Sequence, residues 1–597
     1  MDDKVDANFE FIESNSLINT ENNFKVEAGP GAGKTTWLVN HIKNVLNKST
    51  RLKKSKKVAC ITYTKIGVKA IINKLKDAGD QVEVSTIHSF LYKYIIKPYI
   101  YLIKDDYNLN IEKLNVYDES IFSYRKMVEW IKSGGVKLRY LLKDGKLTQQ
   151  NLVNLCWTLE DDDCILKVRK HRNYYKRYDD GSKKMSFILD FSKHQEDYLK
   201  YKEQYWKDGI ITYDDVLFFS YKLIKEYPQI LKILRARFPY FFIDEFQDTN
   251  PIQAEIIRLL GGKETIVGII GDKAQAIYEF QGADVTQFEK FTLDNMKQYK
   301  IKDNRRSTQQ IIDILNIIRS DLKQESPDHK KGNKPYIIVG EQLNSYKKAK
   351  EIIKNKNENL YSLSYADVTS NEMKLNDDEI EVDESVLKDN IIDTILSRES
   401  RNSRSKQIVK IIKAIEYARQ NNFKEAVKNM AKIYGVEKDI ENIKKSLIAL
   451  NNLLSTYDKF KNVTITKFYN KLKDSIGIDI RKISKGNIKI FYDSIKYTDV
   501  ALWIKINEDN SIHRTIHKAK GDEFDNVIVI VKGKINKPFD ENEDLAFLLN
   551  PDLSQESQRV YYVAVSRARE NLFINVPELS SDNAKKLESY GFNIAYT

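Results

Sequence analysis

The chain has 597 residues, 41% of them hydrophobic and 31% charged, with 23 Gly, 10 Pro and a formal net charge of +13 at pH 7. The length predicts three or four domains of ~100 to 200 residues, and the composition excludes a disordered or fibrous chain. No apolar run reaches the ~18 residues of a membrane span, and the acidic start MDDKVDANFE has no apolar leader, so a cytoplasmic protein without membrane association is expected.

Three cysteines, Cys60, Cys156 and Cys164, stand in no CxxC spacing, which indicates neither a zinc site nor a disulfide framework. The positive balance is compatible with a polyanionic partner, but spread over the whole chain it does not single one out.

The first readable element, NFKVEAGPGAGKTTWLVNHIKNVL (23–46), is a strand, a glycine loop and an amphipathic helix. That order suits a phosphate site. Gly29, Gly31 and Gly33 let backbone N–H groups turn inward, Lys34 reaches terminal phosphates, and Thr35 offers a hydroxyl to Mg2+ at the helix N-terminus. Ala28 stands where the strict GxxxxGK[ST] pattern has its first glycine. A strand follows in VACITYT (58–64). The stretch 91–205 is far longer than one helix needs and reads as an inserted helical domain. YFFIDE (240–245) is then a strand ending in Asp244 and Glu245. An acidic turn after a strand is a common solvated feature by itself. Behind a phosphate loop it matches a strand that presents an aspartate to Mg2+ and a glutamate to the attacking water. Downstream, TIVGII (265–270), NVIVIV (526–531) and NLFINV (571–576) are further strands. Between them NDDEIEVDES (376–385) reads as a polar linker into long helical segments such as SKQIVKIIKAIEYARQNN.

Read onward from the acidic pair, the chain resembles the UvrD/Rep-type superfamily 1 DNA helicases. The segments that carry the resemblance are AGPGAGKTT (28–36), ITYTKIGVKAI (61–71), STIHSF (85–90), FIDEFQDTNPIQ (242–253), IIGDKAQAIYEFQGA (269–283), KDNRRST (302–308), TIHKAKGDEFDNVIVI (515–530) and ESQRVYYVAVSRAREN (556–571). They implicate an α/β fold of two RecA-like P-loop NTPase lobes, each with a mainly helical insertion. The plan is lobe 1 at 1–90 and 206–285, its insertion at 91–205, lobe 2 at 286–374 and 506–597, and its insertion at 375–505.

The resemblance also implies residue roles. Ala28, Gly29, Pro30, Gly31, Ala32, Gly33, Lys34, Thr35 and Thr36 hold ATP, with Mg2+ on Thr35 and Asp244. Glu245 is the base, Gln275 senses the terminal phosphate, and Arg306 and Arg567 are arginine fingers, the site lying in a cleft between lobes. Glu523 meets the ribose, and Arg305 stands where the family has a tyrosine stacked on the base, a place a guanidinium plane can take. The family's adenine-reading glutamine is absent from residues 1–27, Asn8 being an amide substitute, while Gln281 replaces an arginine and Asp522 a leucine. For single-stranded DNA the resemblance puts Phe280 against a base, next to Tyr278. Thr62, Tyr63, Thr86, His88 and Phe90 line the first lobe's track and His517 faces the second's, with buried structural roles as the alternative for both histidines. The run KVRKHRNYYKRYDDGSKK (167–184) interleaves cations with Tyr174, Tyr175 and Tyr178 and reads equally as a DNA contact or as an exposed basic face.

Two functions follow from the resemblance. One is an ATP-dependent 3′ to 5′ helicase or translocase acting on single strands and on junctions of single and double strands, in repair, recombination or defence. The other is an ATP-gated DNA-binding switch that regulates a partner nuclease, as anti-phage systems such as Gabija pair a helicase of this kind with a nuclease. A helicase fused to its own nuclease is disfavoured, because little chain follows ESQRVYYVAVSRAREN.

Overall fold

The structure is a computed structural model and describes residues 9–53, 55–117, 122–134, 138–139, 141–142, 145–169, 174–177, 183–187, 195–262, 264–353, 358–377, 390–398, 403–435, 439–477, 482–506, 511–533 and 537–597. The chain divides into two compact units, Met1–Arg305 and Arg306–Thr597.

In the first unit seven strands form one parallel sheet. They are β1 (Phe9–Ile12), β2 (Phe24–Ala28), β3 (Val58–Thr62), β4 (Val82–Thr86), β5 (Tyr240–Ile243), β6 (Ile266–Gly271) and β7 (Lys297–Ile301), in the order β1-β7-β2-β6-β5-β3-β4. The central strands are apolar at nearly every position because both faces of a parallel sheet are covered. Tyr240 and Phe242 of β5 join Val58 and Cys60 of β3 in one core. There they meet Trp37, Leu38, Ile42 and Val45 of helix α1 (Lys34–Lys48). The alternate residues, Phe241, Ile243, Ala59 and Ile61, belong to the opposite core with Phe90, Trp157, Trp206 and Phe218. All the strands expected in this half form, and the loops after β2, β3, β5 and β6 emerge at their carboxyl ends, where α/β sheets bind ligands.

Two expectations change. The second lobe was expected to start at 286, but β7 pairs with β1 and β2 of the first sheet, and the chain divides only at Arg305. Lys297–Ile301 carries no apolar run, which is why it is hard to read as a sheet strand. The segment expected as a helical insertion does contain the helices Tyr124–Ser133, Gly145–Val153 and Gln195–Trp206, but also two antiparallel hairpins, Leu155–Glu160 with Asp163–Val168 and Tyr174–Arg177 with Lys183–Phe187. The first hairpin turns through Asp161 and Asp162, both at positive φ (45° and 66°), as a two-residue turn between twisted strands requires.

In the second unit six strands pair in parallel: β8 (Tyr336–Val339), β9 (Leu360–Ser364), β10 (His513–Thr515), β11 (Phe524–Ile530), β12 (Ala568–Val576) and β13 (Asn593–Tyr596), in the order β10-β9-β11-β12-β8-β13. Between β9 and β10 the chain leaves the sheet for the helices Ser403–Arg419, Phe423–Tyr434, Ile440–Ser455 and Ile465–Ile476. They enclose a core of their own, with Ile408, Ile412, Ile415, Leu450, Phe468 and Tyr497 buried in it. Most of the expected polar linker lies outside the described residues. Among the described residues no helix is long and apolar enough to cross a membrane.

Candidate nucleotide site and DNA-facing residues

The loop between β2 and α1 has the backbone that a phosphate cradle needs. Gly31 and Gly33 lie at φ 71° and 73°, a region that disfavours any side chain, and Gly33 is the N-cap of α1. No side chain caps that helix, so its first amide donors are left for a ligand, at the positive end of a 15-residue helix. Lys34 folds back on the loop and donates to the carbonyls of Ala28 (3.2 Å) and Gly29 (3.4 Å). Pro30 is buried, Ala32 is held by a bond from its N–H to the Gly29 carbonyl (3.3 Å), and exposed Thr36 accepts from Lys74 Nζ (2.7 Å). Arg305 lies next to this loop: its backbone N–H donates to the Gly31 carbonyl (3.0 Å) and its Nε to Ser14 Oγ (2.8 Å).

The acidic end of β5 meets the same loop. Thr35 Oγ1 donates to Asp244 Oδ2 across 3.1 Å, joining two residues 209 positions apart. Asp244 is 4% exposed, and burial first, then the adjacent Glu245 carboxylate, hold its carboxyl well above the usual carboxylate range, with Lys34 offsetting only part. A buried carboxylate pushed toward neutrality, next to a hydroxyl and an uncapped helix end, lacks positive charge. A divalent cation would supply that charge, and the Thr35 hydroxyl and Asp244 carboxylate are oxygen donors of the kind Mg2+ takes. Glu245 takes the left-handed conformation at φ 57°, rare for a residue with a side chain and held only where the surroundings impose it. Its Oε2 accepts from Gln247 Nε2 at 2.6 Å. Gln275, 3% exposed, donates from Nε2 to Asp272 Oδ2 at 2.6 Å. Among the described residues no cluster of three or more His, Cys, Asp or Glu side chains could hold a metal ion.

In the second unit Arg306, Arg567 and Glu523 come together around Ser566. Arg306 Nε pairs with Glu523 Oε2 (2.7 Å) and its Nη1 donates to the Ser566 carbonyl (2.9 Å). Arg567, 2% exposed, donates to the carbonyls of Val563 (3.0 Å) and Asp522 (3.2 Å) and to Ser566 Oγ (2.8 Å). Burial raises the Glu523 carboxyl, but Arg306, Arg569 and Arg567 outweigh it and hold the group below its ordinary value. Asp522 pairs with Arg514 at 2.8 Å.

The expected DNA track divides into residues that reach the surface and residues that do not. Tyr63 stacks on Tyr278 (centroids 5.1 Å apart, planes 21°) and its hydroxyl donates to Gln281 Oε1 at 2.9 Å. Phe280 lies 6.1 Å from Tyr278 and is 36% exposed. Phe90 is fully buried among Tyr94, Phe238 and Phe241, with centroids 4.9 to 5.1 Å apart, so it is a core residue and not a DNA contact. The i, i+3, i+4 spacing of Ile87, Phe90 and Leu91, which puts all three on one helix face, already carries that signal. Thr62, 3% exposed at the end of β3, is likewise closed to a strand of DNA. Thr86 caps the helix Ile87–Leu91 through its hydroxyl. His88 stacks on Tyr213 (4.8 Å) and is kept neutral by burial, which lowers its pKa to about 4. His517 sits edge-on to Tyr365 (5.9 Å), an exposed aromatic that the sequence reading missed. Of the basic run, Tyr178 lies outside the described residues, as does Asn8. Tyr174 and Tyr175 belong to a hairpin strand, and Arg169 pairs with Asp214 at 3.4 Å. Gln247, Asp272 and Ser566 were also missed as site residues. Gln247 and Ser566 are neutral beside a more conspicuous charge, and for Asp272 only the fold reveals what its carboxylate holds.

With this geometry in place, comparison with known families gives a direct result. Residues 10–296 match the UvrD/REP helicase N-terminal domain and residues 342–578 the UvrD-like helicase C-terminal domain. The chain belongs to the UvrD/Rep helicase family. Among individual proteins it is similar to Gabija protein GajB of Bacillus cereus, 25% identical over 91% of each chain. It is also similar to ATP-dependent DNA helicase srs2 of Schizosaccharomyces pombe, 25% identical over 57% of this chain, and to ATP-dependent DNA helicase PcrA of Staphylococcus aureus, 24% identical over 56% of it. The matched region spans 39% of the srs2 chain and 42% of the PcrA chain.

Proposed function

We propose that this protein is an ATP-driven motor on single-stranded DNA, a cytoplasmic DNA helicase moving 3′ to 5′ and opening duplex at junctions. The observation that carries this reading is the 3.1 Å bond between Thr35 and Asp244, which joins the phosphate loop to the acidic strand end in one site. In it, the α1 amides and Lys34 bind the phosphate chain of ATP, and Thr35 and Asp244 are the residues that would hold Mg2+. Bound there, Mg2+ supplies neutralisation of the charge shared by the β and γ phosphates. Glu245 takes a proton from the attacking water, and Gln275 registers the terminal phosphate. Arg306 and Arg567 stabilise the charge that develops on the transferring phosphoryl group. Arg305 contacts the base and Glu523 the ribose. Tyr63, Tyr278 and Phe280 offer aromatic faces to DNA bases, a mode of grip that tolerates any sequence; Thr86 and His88 line the first unit's share of the DNA track, and His517 faces the second's.

The test is ATP hydrolysis with and without single-stranded DNA, together with strand separation on 3′-tailed and 5′-tailed duplexes. The motor reading expects strong stimulation and opening of the 3′-tailed substrate alone. A second reading is an ATP-gated DNA-binding subunit that regulates a partner nuclease in anti-phage defence. The similarity to a Gabija protein over 91% of each chain supports that setting. Stimulated hydrolysis without strand separation on either substrate favours it.

A further inference from the structure

The geometry points to Gln247 as the residue that aims the catalytic glutamate, an inference that rests on the assignment of Glu245 as the base. Gln247 is fully buried in the turn after β5, and both ends of its amide are engaged. Nε2 donates to Glu245 Oε2 at 2.6 Å, and Oε1 accepts from the backbone N–H of Asp272 at 3.0 Å. Asp272, itself fully buried at the end of β6, accepts from the Ala274 N–H (3.1 Å) and from Gln275 Nε2 (2.6 Å). One amide therefore ties the Glu245 carboxylate to the loop that carries Gln275.

Three features give this tie a function beyond packing. Glu245 sits in a left-handed backbone conformation, unfavourable for a residue with a side chain, so its direction depends on what holds it. A carboxylate that accepts a short bond from a buried amide is fixed in direction by that bond, and a general base must be aimed before it can take a proton. Gly271 makes room for the arrangement: a Cβ there would fall 2.6 Å from Gln247 Oε1 and 3.0 Å from the Phe288 ring. Gly271 does not have a positive φ, so the space for Gln247, and not the backbone, accounts for the missing side chain. Gln247 touches no reacting atom; it is a positioning residue acting through Glu245.

The experiment measures steady-state ATP hydrolysis on saturating single-stranded DNA for the full chain and for Gln247→Leu, Gly271→Ala, Glu245→Gln and the Gln247→Leu, Glu245→Gln double variant. ATP and DNA affinities and melting temperature are measured on each. Gln247→Leu keeps the volume and removes both bonds, while Gly271→Ala leaves Gln247 in the chain and displaces its amide. Both are expected to lower kcat roughly 10- to 100-fold, the range that a misplaced catalytic group brings. The KM for ATP and the DNA affinity should stay within about twofold, because neither partner of Gln247 holds the ground-state phosphates. In the Glu245→Gln background the Leu substitution should bring no further loss, as for two residues acting through one step. A Gln247→Leu protein within about twofold of the parent kcat overturns the inference. So does a kcat loss matched by lost ATP affinity or melting temperature, or an equal loss without the Glu245 carboxylate. Rapid turnover by Glu245→Gln itself would instead overturn the assignment of the base, a distinct outcome.

Discussion

His41 lies on the buried face of α1, the helix that begins at the phosphate loop, and it makes the stability of this protein depend on pH in a calculable way. Its ring is 1% exposed, stacked on Trp37 (5.4 Å, planes 1° apart) and edge-on to Phe24 (4.9 Å). Neither imidazole nitrogen meets a hydrogen-bond partner among the described residues. Burial alone lowers its pKa from 6.5 to about 4. The group is a base with a depressed folded pKa, so between those two values the unfolded chain binds more protons than the folded one, and stability falls as pH drops through 6.5. At pH 5.5 the unfolded imidazole is about 90% protonated and the folded one about 3%, which corresponds to about 1.4 kcal/mol lost relative to pH 8. Phe in place of His41 keeps a ring of similar shape and cannot titrate. The stability of His41→Phe minus that of the parent should therefore grow by about 1.4 kcal/mol from pH 8 to pH 5.5, whatever its value at pH 8. Every other titrating group cancels in that difference. Urea unfolding followed by tryptophan fluorescence reads it: Trp37, Trp130, Trp157 and Trp206, four of the five tryptophans, lie in the first unit. A gap between the two proteins that stays constant over this range would refute the reasoning.

Lys34→Ala should remove measurable turnover, at least ~100-fold, because a P-loop lysine supplies the charge that cradles the β and γ phosphates; a coupled ATPase assay reads it. Arg567→Ala should lower kcat far more than ATP affinity, since the loop and α1 already supply ground-state binding, and equilibrium binding of a fluorescent ATP analogue separates the two. Tyr278→Ala removes the ring on which Tyr63 stacks. It should weaken single-stranded DNA binding by about 1–3 kcal/mol, seen by fluorescence anisotropy, with little change in hydrolysis in the absence of DNA.

The sheets were legible because their strands are long apolar runs with a motif at the carboxyl end, as YFFIDE and NVIVIV illustrate. Strand β7 was not: KQYKI has only Tyr299 and Ile301 to bury, lies beside the short strand β1, and pairs with partners nearly 300 residues away. The hairpin Leu155–Glu160 with Asp163–Val168 hides in a segment whose length alone suggested helices. At the site, the charged residues and glycines could be named from the sequence because their chemistry needs those residue types. Phe90 shows the limit of that reasoning. Ser89 beside it is exposed, yet the Phe90 ring completes an aromatic core that forms only where Phe90 and Tyr94 pack on the distant pair Phe238 and Phe241. Gln247 and Asp272 show the converse, polar residues that gain meaning from the bonds the fold gives them.

The most direct measurement is the initial rate of ATP hydrolysis as single-stranded DNA is titrated into the intact chain and into Glu245→Gln. The account predicts a saturable rise of at least ~10-fold in the parent, and in the variant retained ATP binding with almost no turnover at any DNA concentration. A parent rate indifferent to DNA, or a variant that hydrolyses as the parent does, would contradict it.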